Sequence, residues 1–345
     1  MSIAAPIRFA LGVGLTNACN LACKHCYRAP GEDRLEVERV LRAVDALPTR
    51  AVNLGTGENG LHPGLATLVN ALSERGVAVT MTTNGYSTRA LSDEVLKKFR
   101  DLEFSIDYPT REAHDAARGE GNWALIEAEM ARCRGLGIAV TLVSVLMSTN
   151  CTQLPGLAAL AFARGAKLRL NVYQAVNGDA FSLSYEQFWQ TFATLMELGE
   201  LEACGEPVVR AVLGLPRVPG AGCGVETVRI TPKGVVSPCV YTGTDSPLSV
   251  EDLVNLGSAV VKHASFRALD ATPDACRACP QLETCGGGCP SRRTLRGGLQ
   301  HPDEYCPFVR GLPAPLLRAP RADPSRPVAP KASSACTTIL APRRS

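Results

Sequence analysis

The chain has 345 residues, 46% hydrophobic and 20% charged, which supports a sizeable core and, by length, two domains of ordinary size. No run of eighteen apolar residues occurs, so no helical membrane span is expected, and residues 1–10 lack the charged-then-apolar pattern of a signal peptide, which points to the cytoplasm. Formal net charge is +3, but residues 311–345 hold six Lys/Arg against one Asp, leaving about −2 on the other 310 and no basic face for nucleic acid.

Residues 7–15 read as a short strand that ends at a cysteine-rich loop. Residues 34–47 have helical periodicity, and residues 51–54 form a buried strand before the turn Gly55-Thr56-Gly57-Glu58. Residues 64–75 read as a helix stopped by Gly76. Residues 77–83 are a strand ending in Asn84-Gly85, followed by a helix over 88–99. A strand at 102–107 leads to a mostly helical stretch at 111–136. Strands at 138–147 and 168–174 flank a helix at 152–164, and a last helix spans 184–198. Strand–helix alternation repeated six times predicts a parallel sheet covered by helices. Six units are fewer than a closed eight-unit barrel needs, so the expected class is α/β, a partial, open (β/α)6 TIM-like barrel.

In parallel α/β folds the ligand binds at the carboxyl ends of the strands. The cysteine loop, Gly55–Glu58, Thr82–Gly85, Ser105–Asp107, Asn150 and Gln174 all fall there. Asn150 and Gln174, as single polar strand ends, read equally well as loop caps. From about residue 201 prolines, glycines and cysteines replace the alternation through residue 308, as in a region held by metal. The last 35 residues contain seven prolines and no apolar period, and are expected to be disordered. The expected organisation is therefore a core over 1–200, a small metal domain over 201–310 and a tail over 311–345.

Fourteen cysteines are many for a reducing compartment, where disulfides are rare, so metal binding leads. Ten are clustered: Cys19, Cys23 and Cys26 at the front, then Cys223, Cys239, Cys276, Cys279, Cys285, Cys289 and Cys306. Cys133, Cys151, Cys204 and Cys336 stand apart. Iron–sulfur clusters normally take four thiolates. A C-x3-C-x2-C loop with no local fourth thiol would leave one iron open for chemistry, as the open position does on a catalytic zinc. The rival reading is structural zinc, though zinc loops usually pair C-x2-C with a second pair or with histidines.

The C-x3-C-x2-C loop, with His25 in the aromatic position before its last Cys, resembles the signature of radical S-adenosylmethionine (SAM) enzymes. Gly55-Thr56-Gly57-Glu58 resembles that family's Gly-Gly-Glu segment, with Thr56 in place of the second Gly. The resemblance implies that Gly55, Gly57 and Glu58 hold the methionyl amine of SAM, with Asn84 and His25 also on the cofactor side. Ser105-Ile106-Asp107, His114-Asp115 and Arg118-Gly119 resemble the ribose-binding segment. It implies Asp107 or Ser105 for the ribose hydroxyls and Arg118 for the SAM carboxylate. The trailing cysteines resemble the seven-cysteine SPASM domain. By that resemblance Cys276, Cys279, Cys285 and Cys306 hold one auxiliary cluster and Cys223, Cys239 and Cys289 the other. Its fourth ligand is open: position 217, where some relatives carry a Cys, is Arg; the candidates are Cys204, far upstream, or else water, another side chain or substrate.

The implied chemistry is reductive cleavage of SAM and hydrogen abstraction from an unreactive carbon, fed by a reductant such as flavodoxin or ferredoxin. No catalytic side chain is identifiable. The expected role is natural-product biosynthesis or peptide modification. The cysteine loop begins at residue 19, which leaves no room for a preceding leader-binding domain and favours a small substrate or a separately delivered peptide. A sugar or nucleoside substrate, a non-catalytic electron carrier and a zinc-stapled scaffold remain as alternatives.

Overall fold

A computed structural model describes residues 8–28, 31–216, 222–242, 246–321, 328 and 337–343. Six strands carry the core: β1 (Phe9–Val13), β2 (Thr49–Leu54), β3 (Ala78–Thr83), β4 (Phe99–Ser105), β5 (Ala139–Leu146) and β6 (Lys167–Val172). Neighbours pair in parallel from β1 through β6. Parallel pairs need long crossovers, which helices such as Val37–Asp45, Leu65–Glu74, Asn122–Gly135 and Leu154–Ala163 supply. The result is the expected partial barrel.

The sheet continues beyond residue 200, with β7 (Glu200–Cys204), β8 (Thr227–Ile230), β9 (Val236–Ser237) and β10 (Thr337–Ala341). The full order is β7-β10-β6-β5-β4-β3-β2-β1-β8-β9. β8 runs parallel to β1 and forms a hairpin with β9. The strand–helix alternation in fact runs one unit further than expected, since helix Tyr185–Leu198 leads into β7. β7 does not meet β6 directly, because β10 lies antiparallel between them.

β10 corrects the expectation of a disordered tail. Thr337, Thr338, Ile339 and Leu340 are all buried. Four β-branched or apolar residues in a row suit a strand, and the surrounding prolines mask them in composition. The tail positions 322–327, 329–336 (with Cys336) and 344–345 lie outside the described residues, as do Ile7 and Arg217. Two helices also differ from expectation. The stretch at 88–99 is two short helices, Tyr86–Arg89 and Asp93–Leu96, and β4 already starts at Phe99. Arg132 takes up the carbonyls freed at that break, donating to Thr88 O (3.0 Å) and Leu91 O (2.8 Å). The stretch at 111–136 breaks at Gly119 and Gly121, both at positive φ, into Arg111–Arg118 and Asn122–Gly135.

Register divides the sheet into two faces. Leu11, Val13, Val52, Leu54, Val79, Met81, Leu102, Phe104, Leu142 and Leu168 are buried on one, against the helices. Gly12, Asn53, Thr80, Thr82, Glu103, Val143 and Arg169 share the other, which lines the lumen. There Asn53 donates to Thr80 at 2.8 Å, Thr82 donates to Glu103 at 2.6 Å, and Arg169 pairs with Glu103. Among the described residues no helix is long and apolar enough to cross a membrane.

Candidate functional site

The loop after β1 is tied at both ends. Leu35 N donates to Leu15 O (2.8 Å), Asn17 N donates to Asp33 O (2.9 Å), and Arg28 donates to Asn17 O. Between these ties Cys19, Cys23 and Cys26 stand half-buried. Leu21 N points at Cys19 Sγ (3.4 Å), and Cys26 N donates to Cys23 O (3.1 Å). Burial pushes the Cys19 and Cys23 thiols up, while the Leu21 N–H lowers Cys19 and the Arg118 charge lowers Cys23. The site thus supplies partial compensation for thiolates in a low-dielectric pocket.

The Gly55–Glu58 turn presses on this loop from β2. Gly57 has φ +64°, and a Cβ there would lie 2.2 Å from Thr16 O and 2.7 Å from Ala18 O. Only glycine permits that approach. Glu58 N donates to Ala18 O at 2.8 Å. Thr56, also at positive φ, bonds Tyr27 Oη through Oγ1 at 3.0 Å.

Glu58 is held by the protein from several sides. Its side chain is 2% exposed, and its carboxylate accepts from Thr83 Oγ1, Ser87 N (2.8 Å), Ser87 Oγ and Asn84 N (3.0 Å). Three of these donors meet Oε1 and one meets Oε2. Burial raises its pKa, and these hydrogen bonds pull the other way. What Glu58 does is fix the loop after β3. That loop carries Asn84, whose Nδ2 donates to Asn20 Oδ1 (2.8 Å) and lies 3.9 Å from Cys19 Sγ.

Asp107 is held in a similar way. It is fully buried, and its carboxylate accepts from Arg118 Nε (2.8 Å) and Val145 N (3.0 Å), with His25 Nε2 at 3.3 Å. Burial raises its pKa, but Arg118 and His25 outweigh it and hold the carboxyl below its ordinary value. Burial lowers the pKa of His25, and Asp107 opposes that shift. Asp107 therefore anchors Arg118 and His25. The Arg118 Nη1 end reaches within 4.0 Å of Cys23 Sγ. Ser105 is half-buried at the end of β4, on the same sheet face as Glu103. Asn150 is a cap: it donates to Asp107 O (3.1 Å) and Val145 O (2.8 Å).

Of the C-terminal cysteines, Cys289 reaches the same mouth. Burial pushes the Cys276 thiol up to about 11 and raises those of Cys285 and Cys306, and charge on the other thiols of this set adds to each rise. Gln174, at the end of β6, accepts from Ser291 Oγ at 3.1 Å, and Ser291 Oγ lies 3.2 Å from Cys289 Sγ. Cys289 N donates to Asp303 (2.8 Å), and Asp303 shares the buried Arg292 with Glu206. Cys204 is fully buried beside Thr338 Oγ1 (3.8 Å), and burial pushes its thiol up to about 11. Tyr241 packs edge-on against Tyr27, and Asn177 Nδ2 donates to Cys26 O (2.8 Å). Tyr27, Asn177, Ser291 and Asp303 belong to none of the sequence motifs. Asn177 and Ser291 act across separations of 151 and 117 residues, which no local pattern encodes. Asp303 acts on Cys289 from 14 residues away, across a stretch with no periodicity. For Tyr27 the signal is its place directly after Cys26. Among the described residues no three His, Cys, Asp or Glu converge to hold a single metal ion.

The radical SAM superfamily profile matches residues 13–151. A mycofactocin maturase of Mycobacterium ulcerans is 31% identical over 347 aligned positions, covering 90% of this chain and 92% of that protein. The chain belongs to the radical SAM superfamily. A PqqA peptide cyclase of Methylorubrum extorquens is 26% identical, covering 85% of this chain and 83% of that one. In fold, the chain resembles Streptococcus suis SuiB bound to S-adenosylmethionine, with a TM-score of 0.70 at 17% identity over 87% of this chain and 77% of that one. The chain is a radical SAM enzyme of the SPASM type, with SAM and [4Fe–4S] clusters as its cofactors. With these bound, SAM is reductively cleaved and the 5′-deoxyadenosyl radical takes a hydrogen from the substrate.

Proposed function

We propose that this radical SAM enzyme modifies a peptide in the cytoplasm, with Cys19, Cys23 and Cys26 holding the SAM-binding cluster. The observation that carries the residue assignment is the clamped loop at the end of β1, with three half-buried thiols and Gly57 packed against its backbone. The peptide substrate is supported by the relatives, a maturase and a peptide cyclase that each align over most of this chain.

The backbone at Gly55 and Gly57, with Asn84, Ser105 and the outer nitrogens of Arg118, forms the SAM-facing surface. Glu58, Asp107 and His25 position those groups. Cys276, Cys279, Cys285 and Cys306 hold one auxiliary cluster, and Cys223, Cys239 and Cys289 the other. Functionally the chain divides into a radical-generating core (1–200), an auxiliary-cluster region (201–310) and a C-terminal segment (311–345). A small one-electron protein of the flavodoxin or ferredoxin type supplies the reducing equivalent.

Anaerobic purification and reconstitution test this. Three cubanes require about 12 iron atoms per chain, and replacing Cys19, Cys23 and Cys26 together by Ala should remove about a third of them. A zinc-loaded, colourless protein would overturn the assignment. The substrate is tested by incubating the reconstituted enzyme with precursor peptides encoded beside its gene. Conversion of a sugar or nucleoside, but of no such peptide, would overturn the peptide reading.

A further inference from the structure

Closed parallel barrels fill their lumen with branched apolar side chains. This lumen is charged, and its charges are not all matched. Arg169 of β6 pairs with Glu103. Arg229 of β8 has no such partner: among the described residues it makes no ion pair and no hydrogen bond.

The position of Arg229 depends on a glycine. Arg229 is in register with Gly12 of β1. Its side chain lies across that residue, so that a Cβ at position 12 would sit 1.8 Å from Nη1 and 2.6 Å from Cδ. The bare backbone at Gly12 is what lets the guanidinium cross β1 toward the lumen. Two residues on, and so on the same face, Gly14 packs against Thr56 (a Cβ at position 14 would lie 2.9 Å from Thr56 Cβ), and Thr56 bonds Tyr27 at 3.0 Å. Tyr27 follows Cys26 directly, so Arg229 is on the cofactor side of the lumen.

A partly buried cation without a counter-charge costs stability. Packing alone would be served better by an apolar side chain. A guanidinium presents a planar fork that fits a carboxylate with two parallel hydrogen bonds. We propose that Arg229 is a substrate-binding residue that receives a carboxylate of the substrate inside the barrel lumen, beside Tyr27.

This rests on the peptide reading above, under which the carboxylate is either the peptide C-terminus or an Asp/Glu side chain. The carboxylate of SAM has the same chemistry, so the test must separate three sources. The reconstituted holoenzyme, saturated with SAM, is titrated anaerobically by saturation-transfer NMR. The probes are acetyl-Ala-Ala-Ala with a free C-terminus and as its amide, acetyl-Ala-Glu-Ala-amide against its Gln counterpart, and propionate. At least one acid should bind tenfold or more tightly than its neutral twin. Arg229→Gln should abolish that preference and leave SAM affinity unchanged, while Arg229→Lys keeps part of it. Gly12→Ala, which displaces the guanidinium without removing it, should behave like Arg229→Gln. The acid that shows the preference identifies the source. If only propionate shows Arg229-dependent binding, the carboxylate site stands and the peptide reading falls. Equal binding of acids and neutral twins, an acid preference that survives Arg229→Gln, or no saturable binding of any carboxylate would overturn the proposal. So would a tenfold loss of SAM affinity with the acid preference intact.

Discussion

Gly57→Ala separates backbone strain from disturbance of the cysteine loop. Gly57 has φ +64°, where a non-glycine residue costs about 1–2 kcal/mol. That strain alone should lower Tm by roughly 2–4 °C per kcal/mol. The added methyl would also stand 2.2 Å from Thr16 O and 2.7 Å from Ala18 O. Regaining ordinary contact moves those carbonyls by about 1 Å, and they lead directly into Cys19. Misplacement of a reacting centre by about 1 Å can cost 10²-fold in rate. Gly76→Ala is the control, because Gly76 has φ +66° but nothing within 4 Å of the added Cβ. Both variants should lose similar stability to strain. Only Gly57→Ala should lose about 10²-fold in 5′-deoxyadenosine formation, measured anaerobically with excess reductant and SAM. Equal activity in the two variants would refute the claim that Gly57 sets the position of the cysteine loop.

Other expectations follow from buried charge and from the tail. Asp107→Asn leaves Arg118 buried without its carboxylate partner and should cost about 3–5 kcal/mol in denaturant unfolding. Because the folded carboxyl is held below its ordinary value, its stabilisation is complete above the unfolded Asp pKa and is lost as pH falls through the folded one. The wild-type midpoint should therefore drop toward that of Asp107→Asn as the metal-free chain is acidified below about pH 4; a constant gap would contradict this. Glu103→Gln should destabilise by a similar amount, and the double variant Glu103→Leu with Arg169→Met by less, since two apolar partners remove the buried charges together. Ending the chain at residue 336 removes buried Ile339 and Leu340, worth about 1.5–3 kcal/mol each, and uncovers β6 and β7. The truncated protein should melt lower and aggregate; unchanged melting would show that β10 adds nothing to the fold.

What the sequence makes legible is whatever local spacing encodes. The C-x3-C-x2-C loop and the six strand–helix units are patterns within short windows, and both are present. Pairings across long separations are not legible in this way. The network that holds Glu58 does not show in its own turn, because its donors, Thr83, Asn84 and Ser87, come from the next strand and its loop. β10 is hidden because four strand-forming residues sit in a proline-rich segment and pair with strands over a hundred residues away. The polar lumen, by contrast, does leave a local mark. Strands of a parallel sheet buried on both faces should be apolar throughout, yet Leu102-Glu103-Phe104-Ser105 and Leu168-Arg169-Leu170-Asn171 alternate strictly. In strands flanked by helices, such alternation places Glu103 and Arg169 on the face turned away from those helices.

The central claim is that the loop after β1 makes this chain a generator of the 5′-deoxyadenosyl radical. The direct measurement is 5′-deoxyadenosine, quantified by mass spectrometry after anaerobic incubation of the reconstituted, reduced protein with SAM. The wild type should release it. The Cys19, Cys23 and Cys26 triple Ala variant should release none, while keeping the iron bound by its C-terminal cysteines. Equal release from the two proteins, or none from a fully iron-loaded wild type, would contradict the account.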